Sequence, residues 1–333
     1  MDKHVTVRVK SGRAMSWPPT DDEHSIAFAY NQAGERYESY ADGGADELFA
    51  FDGLHAFGDR TIWSILDGKL RALRSSGARS VRILDLGCGP GTWLCRVVMR
   101  ASELGFTSIQ ARGIDIAETQ VRRASARGRR LAIAGLELAF ESGDICAQQP
   151  EASLSVDLCL CLYGVLNHIP IDHMPNLLSE VARVTRGDFI ATMRAKGSMP
   201  TICVDAIEEA RWFWHDHRND LLEAELQNGR HISFGFHLFD ADEIRALSAP
   251  SFEMTELRGL DLFHGRFAGD RRWNPSSART SAGFLRELDR LEHLYCRDPE
   301  FLDHATHLLF VATPRNVVSR SNTCDTRVSH RTR

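Results

Sequence analysis

Residues 81–92 read V-R-I-L-D-L-G-C-G-P-G-T and decide the fold. The apolar residues 81–86 predict a short buried strand, and a glycine then occupies every second position up to Gly91. A helical pattern, TWLCRVVMRASELG, starts directly after this turn and ends near Gly105. Glycine permits backbone torsions that side chains forbid, and it lets a ligand approach the main chain closely. The stretch therefore predicts a ligand-binding turn at the carboxyl end of a strand in an open α/β sheet.

Helical and strand patterns alternate on both sides of this turn. Before the turn, Asp59 is a suitable N-cap for a helix, because Ile62, Leu66 and Leu70 recur after it at helical spacing. Further strands are predicted at 108–115, 136–144, 156–166 and 188–195, with helices at 117–127 and 174–185. Near-continuous apolar strands that alternate with helices predict an α/β fold, a mostly parallel, doubly wound sheet with helices on both faces.

The pattern changes after residue 195. The aromatic stretch RWFWHDHRND, within an inserted segment, is interpreted as helical, and a possible strand over 230–239 follows it. Later predicted elements are a helix capped by Asp240, a strand over 251–263, a helix near 281–297 and a last strand over 304–314. We therefore divide the chain into an N-terminal arm and lid (1–58), a main domain (59–314) with insertions at about 196–238 and 264–303, and a disordered tail (315–333).

Composition and charge limit the function. The formal net charge of −5 gives no general attraction to nucleic acid or to an anionic membrane. The N-terminus has no apolar signal-peptide core, and no stretch reaches the roughly 20 apolar residues that span a bilayer, so we expect a cytoplasmic protein. None of the eight cysteines forms a C-x-x-C pair, which favours buried reduced thiols. An arginine cluster within 122–130 is interpreted as a solvated helix end in preference to an RNA-binding face.

The stretch LDLGCGPGTW resembles the first motif of class I S-adenosylmethionine-dependent methyltransferases. Its G-x-G-x-G spacing differs from the G-x-G-x-x-G of dinucleotide oxidoreductases, and no G-K-[ST] follows as in a P-loop. The resemblance covers residues 59–195 closely and extends more loosely to the strands near 252 and 306. It implies a seven-stranded Rossmann-like sheet with a reversed final hairpin, and S-adenosylmethionine as the cofactor.

The resemblance also implies a role for the acidic residues at the ends of successive strands. Asp85 matches the acid near the methionine amino group, Asp115 the acid that hydrogen-bonds both ribose hydroxyls, and Asp144 the acceptor for the adenine amino group. A carboxylate suits two hydroxyl donors because it offers two acceptor oxygens. Each of these residues could instead be a cap or a turn former. The other implied cofactor contacts are Gly87, Cys88, Gly89, Gly91, Ile116, Ile145, Leu162 and Tyr163.

The methyl acceptor is expected to approach over the loop at 163–170, which follows the fourth predicted strand. His168 is the first candidate for a base or an acceptor-orienting group, because its pKa suits neutral pH. A structural histidine that packs under the next helix is the alternative. Tyr163 and His264 are further catalytic candidates, and the candidate substrate contacts are Tyr30, Tyr37, Asn167, Trp214 and Arg266. The H-D-H sequence at 215–217 has no other ligands nearby, so no metal site is predicted.

We predict an enzyme that transfers a methyl group to O or N of a small molecule, because the aromatic-rich insertions fall where an acceptor pocket would be capped. An RNA or protein methyltransferase is the alternative, and it predicts an open acceptor face with a basic rim. A non-catalytic cofactor-binding module, which predicts an obstructed acceptor channel, is a third hypothesis, and a nicotinamide oxidoreductase is a distant fourth. The sequence leaves the acceptor and the oligomeric state open; no nucleic-acid partner is expected.

Overall fold

The computed structural model describes residues 26–27, 29–31, 48–49, 51, 55–198, 210–226, 229, 231–264 and 282–315. Residues 26–27 and 29–31 are helical and are referred to below as the N-terminal segment. The helices are α1 (Ala56–Ser75), α2 (Thr92–Glu103), α3 (Glu118–Gly128), α4 (Met174–Val184), α5 (Ala241–Ser248), α6 (Ala282–Tyr295) and α7 (Pro299–Leu302), with a 3-10 helix at Val165–His168. The strands are β1 (Ser80–Leu86), β2 (Ser108–Asp115), β3 (Leu136–Ser142), β4 (Val156–Cys161), β5 (Thr185–Arg194), β6 (Ala210–Asp216), β7 (Leu221–Leu226), β8 (His231–Gly235), β9 (Phe252–Leu260) and β10 (His307–Pro314).

Seven strands form the main sheet in the order β3-β2-β1-β4-β5-β10-β9. All neighbours pair in parallel except β10, which runs antiparallel to both β5 and β9. The predicted mostly parallel, doubly wound sheet with a reversed final hairpin is therefore confirmed. Because His307 pairs with Arg194 and Leu260, the start of β10 lies at the same edge as the carboxyl ends of the parallel strands. This edge is where open α/β sheets bind ligands.

Two apolar clusters hold helices against the two faces of the sheet. On one face α1 contributes Ile62, Leu66 and Leu70, whose four-residue spacing places them on one side of the helix, and α2 packs beside it. On the other face α4 and α5 pack against β4, β5 and β10. Burying strands on both sides explains why they are near-continuously apolar in sequence.

A second, three-stranded antiparallel sheet, β6-β7-β8, lies outside the main sheet; we call it the cap sheet. The predicted strand near 230–239 is confirmed, but the interpretation of RWFWHDHRND as helical is wrong. Phe213 points inward against Leu222 and Phe234, whereas its neighbour Trp212 donates a hydrogen bond to Glu225 at 2.7 Å. Aromatic residues favour strands because alternate side chains can pack on a half-buried pleated surface.

Helix α1 starts earlier than predicted. Its N-cap is His55, and Asp59 lies in the first turn with only 8% of its surface exposed. The prediction of Asp59 as N-cap is therefore wrong, because its carboxylate accepts a hydrogen bond from the Tyr163 hydroxyl instead. The Asp240 cap is confirmed, since its side chain accepts from Glu243 N at 2.7 Å.

Some expectations are only partly covered by the described residues. The cysteines in these ranges, Cys88, Cys95, Cys146, Cys159, Cys161 and Cys296, form no disulfide. No described helix is both long enough and apolar enough to cross a bilayer. The arm before residue 26 and the tail beyond Arg315 lie outside the described residues.

Candidate functional site

The glycine turn after β1 is tied to the end of β2. Gly87 N and Cys88 N both donate to the Ile114 carbonyl, at 2.8 and 2.9 Å, and Gly89 N donates to Asp115 Oδ2 at 2.8 Å. Gly87, Gly89 and Gly91 all have positive φ. The turn therefore ends with its main chain at the carboxyl edge of the sheet, directly before the N-terminus of α2, where anions and polar ligands are favoured.

Gly87 has no room for a side chain. Its φ is +73°, and an added Cβ would lie 2.3 Å from Val165 Cγ2. Val165 belongs to the loop after β4, so this loop packs directly on the glycine turn. The two parts of the edge at which a cofactor and an acceptor are expected therefore meet at this contact.

Two acidic residues end the neighbouring strands β2 and β3. Asp115 accepts from Gly89 N through Oδ2 and from Ala117 N through Oδ1, at 2.8 and 2.9 Å. Each oxygen keeps a lone pair for a further donor. Burial raises the pKa of Asp115, and these two backbone donors offset part of that effect. Asp144 Oδ1 accepts from Cys146 N at 2.8 Å, an Asx turn that places buried Ile145 beside it.

Asp85, in β1, is a buried acid of this edge, with 2% of its surface exposed. Burial, with a smaller contribution from the charge of Asp115, raises the pKa of Asp85 to about 7. A cation placed beside it would favour the ionised form and lower that pKa.

Tyr163 follows β4 in a strained conformation, with a φ of 59°. Its N–H donates to Thr192 Oγ1 at 2.6 Å, and its hydroxyl donates to Asp59. Its ring stacks on Trp93, the first residue after the G-T of the turn, with centroids 6.0 Å apart. Burial and the Asp59 carboxylate raise the pKa of the Tyr163 hydroxyl, so it remains protonated at neutral pH.

Three further polar side chains surround Tyr163. The Tyr163 ring lies 5.9 Å from the ring of His55 and 5.4 Å from that of His307. His55 Nδ1 is 3.6 Å from Asp261 Oδ2, and Asp261 directly follows β9. Tyr163 thus lies in an aromatic and polar cluster formed by residues at the ends of α1, β4, β9 and β10.

His168 uses both ring nitrogens within the protein. Nδ1 donates to the Gly235 carbonyl at 3.2 Å, which leaves Nε2 to accept from the Tyr30 hydroxyl at 2.8 Å. Burial lowers the pKa of His168 to about 4, so the ring is neutral. Its ring also contacts Phe234 and Phe236 of the cap sheet. In this structure His168 therefore connects the loop after β4 to the cap sheet and to the N-terminal segment.

The N-terminal segment crosses this edge from the cap sheet to α3. Ala29 is buried in the core of the cap sheet, and Tyr30 contacts His168. Asn31 Oδ1 accepts from Thr119 N at 2.9 Å in the first turn of α3, and Gln120 donates to the Tyr30 carbonyl at 3.2 Å. The segment thus spans from the loop after β4 to the residues that follow Asp115.

The remaining predicted residues have varied surroundings. Asn167 Oδ1 accepts a hydrogen bond from Arg194 N, and Asn167 Nδ2 donates to the carbonyls of Arg194 and His237. His264 is buried, hydrogen-bonds to Asp289 at 2.8 Å and stacks on Phe57. Among the other predicted cofactor residues Cys88 and Leu162 are buried and Ile116 is half-buried; Trp214 is half-buried on β6, and Tyr37 and Arg266 lie outside the described residues.

Sequence reasoning missed His55, Asp261 and His307. Asp261 directly follows β9 and His307 begins the apolar strand β10, so their positions at strand ends were an available signal. His55 precedes α1 without any pattern that marks it. Trp93 was also missed, although it is the last residue of the quoted motif.

Comparison with known proteins gives one family match and many fold matches. Residues 83–188 match a family model described as a methyltransferase domain. In fold, the chain is similar to the [4+2]-cyclase SpnF, at 15% identity over 88% of this chain and 95% of that one, with a TM-score of 0.50. No curated protein matches the chain.

Two further solved structures are also similar. A magnesium protoporphyrin IX methyltransferase from Synechocystis PCC 6803 with bound SAH shares 14% identity over 88% of this chain and 99% of that one, with a TM-score of 0.47. A geranyl diphosphate C-methyltransferase from Streptomyces coelicolor A3(2) shares 13% identity over 90% of this chain and 99% of that one, with a TM-score of 0.48. At these identities the structural matches concern the fold alone.

The matched segment runs from β1 into β5 and includes the glycine turn and the ends of β2 and β3. Over residues 83–188 the chain is therefore similar to methyltransferase domains, and S-adenosylmethionine is the cofactor that the resemblance of the glycine turn implies. The residues of the turn fit this group. Asp115 keeps acceptor capacity for a ribose diol, and Asp85 is a buried carboxyl suited to an ammonium group.

Proposed function

We propose that this enzyme transfers the methyl group to an oxygen or nitrogen atom of a small organic acceptor, held in the pocket around Tyr163. The observation that carries the proposal is the direct packing of the Tyr163–His168 loop on the glycine turn, through Val165 at Gly87. A cofactor held by the turn and the strand-end acids would then present its reactive end to this pocket.

S-adenosylmethionine supplies a methyl group on a positively charged sulfur, which is lost by in-line displacement as the carbon–sulfur bond breaks. The residues of the pocket have to orient the acceptor and exclude water, because the leaving group is already activated. The Tyr163 ring stacks on Trp93 and contacts the edge of His307, and we propose that these rings form one wall of the acceptor site. The Tyr163 hydroxyl, fixed by Asp59, is the group that we assign to acceptor positioning.

A small acceptor is favoured because the edge is covered. The N-terminal segment and the cap sheet meet at His168 through Tyr30, Phe234 and Phe236, and we propose that this segment is a lid over the cofactor. An RNA or protein substrate requires an open face. Within the arginine cluster Arg127 donates to Thr92 at 2.7 Å, which supports a structural role there.

The test is release of S-adenosylhomocysteine on incubation with separate pools of small phenols, alcohols, amines and carboxylates, and with RNA and protein pools. We expect turnover with a small-molecule pool only. Tyr163→Phe should lower kcat by at least about tenfold while the affinity for S-adenosylhomocysteine stays unchanged. Tyr295→Phe is the matched control, because this ring packs against Phe263 and Phe301 away from the pocket.

Turnover with RNA or protein alone would contradict the proposal in favour of a macromolecular substrate. Tight cofactor binding without turnover in any pool would favour a binding module or a different reaction. A Tyr163→Phe variant with the kcat of the Tyr295→Phe control would remove the assigned role of the hydroxyl.

A further inference from the structure

Three metal-ligating side chains from distant segments meet beside Tyr163. His55 precedes α1, Asp261 follows β9 and His307 begins β10. Each offers one ligand atom, and these atoms all lie within 4.8 Å of one another. Within the described residues this is the one group of three or more His, Cys, Asp or Glu side chains with such spacing.

Two polar atoms of these side chains are buried without a hydrogen-bond partner. His307 is 2% exposed and Asp261 is 1% exposed, and neither His307 Nδ1 nor Asp261 Oδ2 has a partner among the described residues. Buried polar atoms are nearly always hydrogen-bonded or bound to an ion or ordered water. Two such atoms, on side chains whose ligand atoms lie this close to one another, indicate a shared ligand.

The backbone holds the Asp261 carboxylate in place. Oδ1 accepts from Gly58 N at 3.2 Å, and an added Cβ at Gly58 would lie 2.6 Å from Oδ2. Asp261 itself has a φ of 55°, and Tyr163 is likewise strained. Strained residues persist where the surroundings over-determine them and cluster at functional sites. Interactions that orient a ligand from behind are typical of metal centres.

The ligand set defines the kind of ion. A tetrahedral ion with bonds of about 2.1 Å keeps its ligand atoms about 3.4 Å apart, close to the 3.6 Å between His55 Nδ1 and Asp261 Oδ2. Two imidazoles with one carboxylate suit zinc and similar transition metals, whereas magnesium and calcium prefer oxygen ligands.

Charged groups of both signs surround the three side chains. The charge of Arg194 interacts with His307. The positive charge of Arg194 opposes a cation, but the carboxyls of Asp59 and Glu292 lie close enough to Asp261 for their charges to interact.

We propose that His55, Asp261 and His307 bind one divalent transition-metal ion of the zinc type. We further propose that an oxygen or nitrogen atom of the acceptor takes a remaining coordination position; this second part rests on the proposed function. An ion there would hold the attacking atom beside Tyr163 and favour its deprotonated form.

The test is calorimetric titration of chelator-treated, full-length protein with Zn²⁺, repeated with Mg²⁺. We expect one equivalent of Zn²⁺ to bind, and no competition from Mg²⁺. His307→Gln and Asp261→Asn should each weaken Zn²⁺ binding by at least about 100-fold. Asp261→Asn keeps an oxygen for Gly58 N, and thermal melting identifies a variant that fails to fold. The matched control is His173→Gln, which removes an exposed imidazole whose side chain caps nothing.

Zn²⁺ affinities of a folded Asp261→Asn or His307→Gln variant equal to that of His173→Gln would overturn the metal site. Cobalt substitution gives a second readout, because the d–d bands of Co²⁺ report nitrogen ligands and a low coordination number. Titration of the metal-free protein with S-adenosylhomocysteine measures cofactor binding without the ion, which separates the metal's role from the proposed function. Cofactor binding and methyl transfer that persist without any metal would overturn the metal's role and leave the proposed function standing.

Discussion

The buried carboxyl of Asp85 carries a specific consequence for cofactor binding. Its pKa of about 7 in the free protein means that it is largely protonated under mildly acidic conditions. We propose that Asp85 pairs with the ammonium group of the cofactor's methionine portion, which requires the ionised form. Binding below pH 7 therefore has to remove a proton from Asp85, at about 1.4 kcal/mol for each pH unit.

We predict that the affinity for S-adenosylhomocysteine rises between pH 5.5 and pH 7 by up to about tenfold per pH unit and levels off above that range. Asp85→Asn should bind more weakly and lose most of this pH dependence, because residue 85 then no longer titrates. Isothermal titration calorimetry at several pH values measures the affinity of the wild type and of Asp85→Asn. A wild-type affinity that does not change between pH 5.5 and pH 7 would contradict either the raised pKa of Asp85 or the proposal that Asp85 lies beside the amino group of the cofactor.

Single residues differ in how far the sequence reveals them. Asp115 and Asp144 could be predicted because Asp115 ends β2, Asp144 lies two residues after β3, and parallel strands end at the same edge. Asp59 could not, since an acidic residue ahead of a helical pattern looks like an N-cap whether or not its side chain turns inward. His55 and His307 become neighbours only when α1 and β10 pack, which no local pattern encodes.

Among the elements, the glycine turn after β1 combines local conformation with tertiary packing. Gly87→Ala adds a Cβ both at positive φ and against Val165. We predict a loss of about 2–4 kcal/mol in the free energy of unfolding. In the double variant with Val165→Ala the clash is relieved, so the two substitutions should couple favourably by at least about 1 kcal/mol.

Denaturant unfolding of the four proteins in this cycle gives the coupling energy. Gly68→Ala, in α1 with nothing within 4 Å of the added Cβ, is the control and should be neutral or slightly stabilising. Additive losses in the double variant would show that Val165 does not contact the turn. They would also remove the contact that connects the cofactor side of the edge to the acceptor side.

The elements that sequence patterns identified best are those with a strong period. The strands of the main sheet are apolar runs between helices, so alternation alone predicted their order along the chain. The β6 strand was missed because Trp212, Phe213 and Trp214 are three consecutive aromatic residues, which have neither the period of a helix nor that of a strand. The hydrogen bond from Trp212 to Glu225 satisfies the polar end of one ring at the surface.

At the scale of the whole molecule, the N-terminal segment connects two parts of the fold that flank the cofactor edge. It reaches α3 through Asn31 and Thr119, and the loop after β4 through Tyr30 and His168. Neither connection is visible in the sequence, because both pair residues far apart in the chain. A bound cofactor beneath this segment should therefore stabilise it.

We predict that S-adenosylhomocysteine slows amide hydrogen exchange at residues 29–31 and at the start of α3, while exchange in α4 is unchanged. Tyr30→Phe removes the hydrogen bond to His168 and should weaken the cofactor affinity by about fivefold, at about 1 kcal/mol for one buried hydrogen bond. Hydrogen exchange by mass spectrometry with and without S-adenosylhomocysteine measures the slowing of exchange. Calorimetry measures the cofactor affinity of Tyr30→Phe. Equal exchange at residues 29–31 in both states would contradict the lid.

The most direct measurement is calorimetric titration of S-adenosylhomocysteine into the wild-type protein, Asp115→Asn and the exposed control Asp172→Asn. We predict one site with micromolar affinity, about −8 kcal/mol, in the wild type and the control. Asp115→Asn should bind about 1.5–3 kcal/mol more weakly, because one acceptor for the ribose hydroxyls and the charge are lost. Absence of binding, or equal affinities for Asp115→Asn and Asp172→Asn, would contradict a cofactor held between the glycine turn and the end of β2.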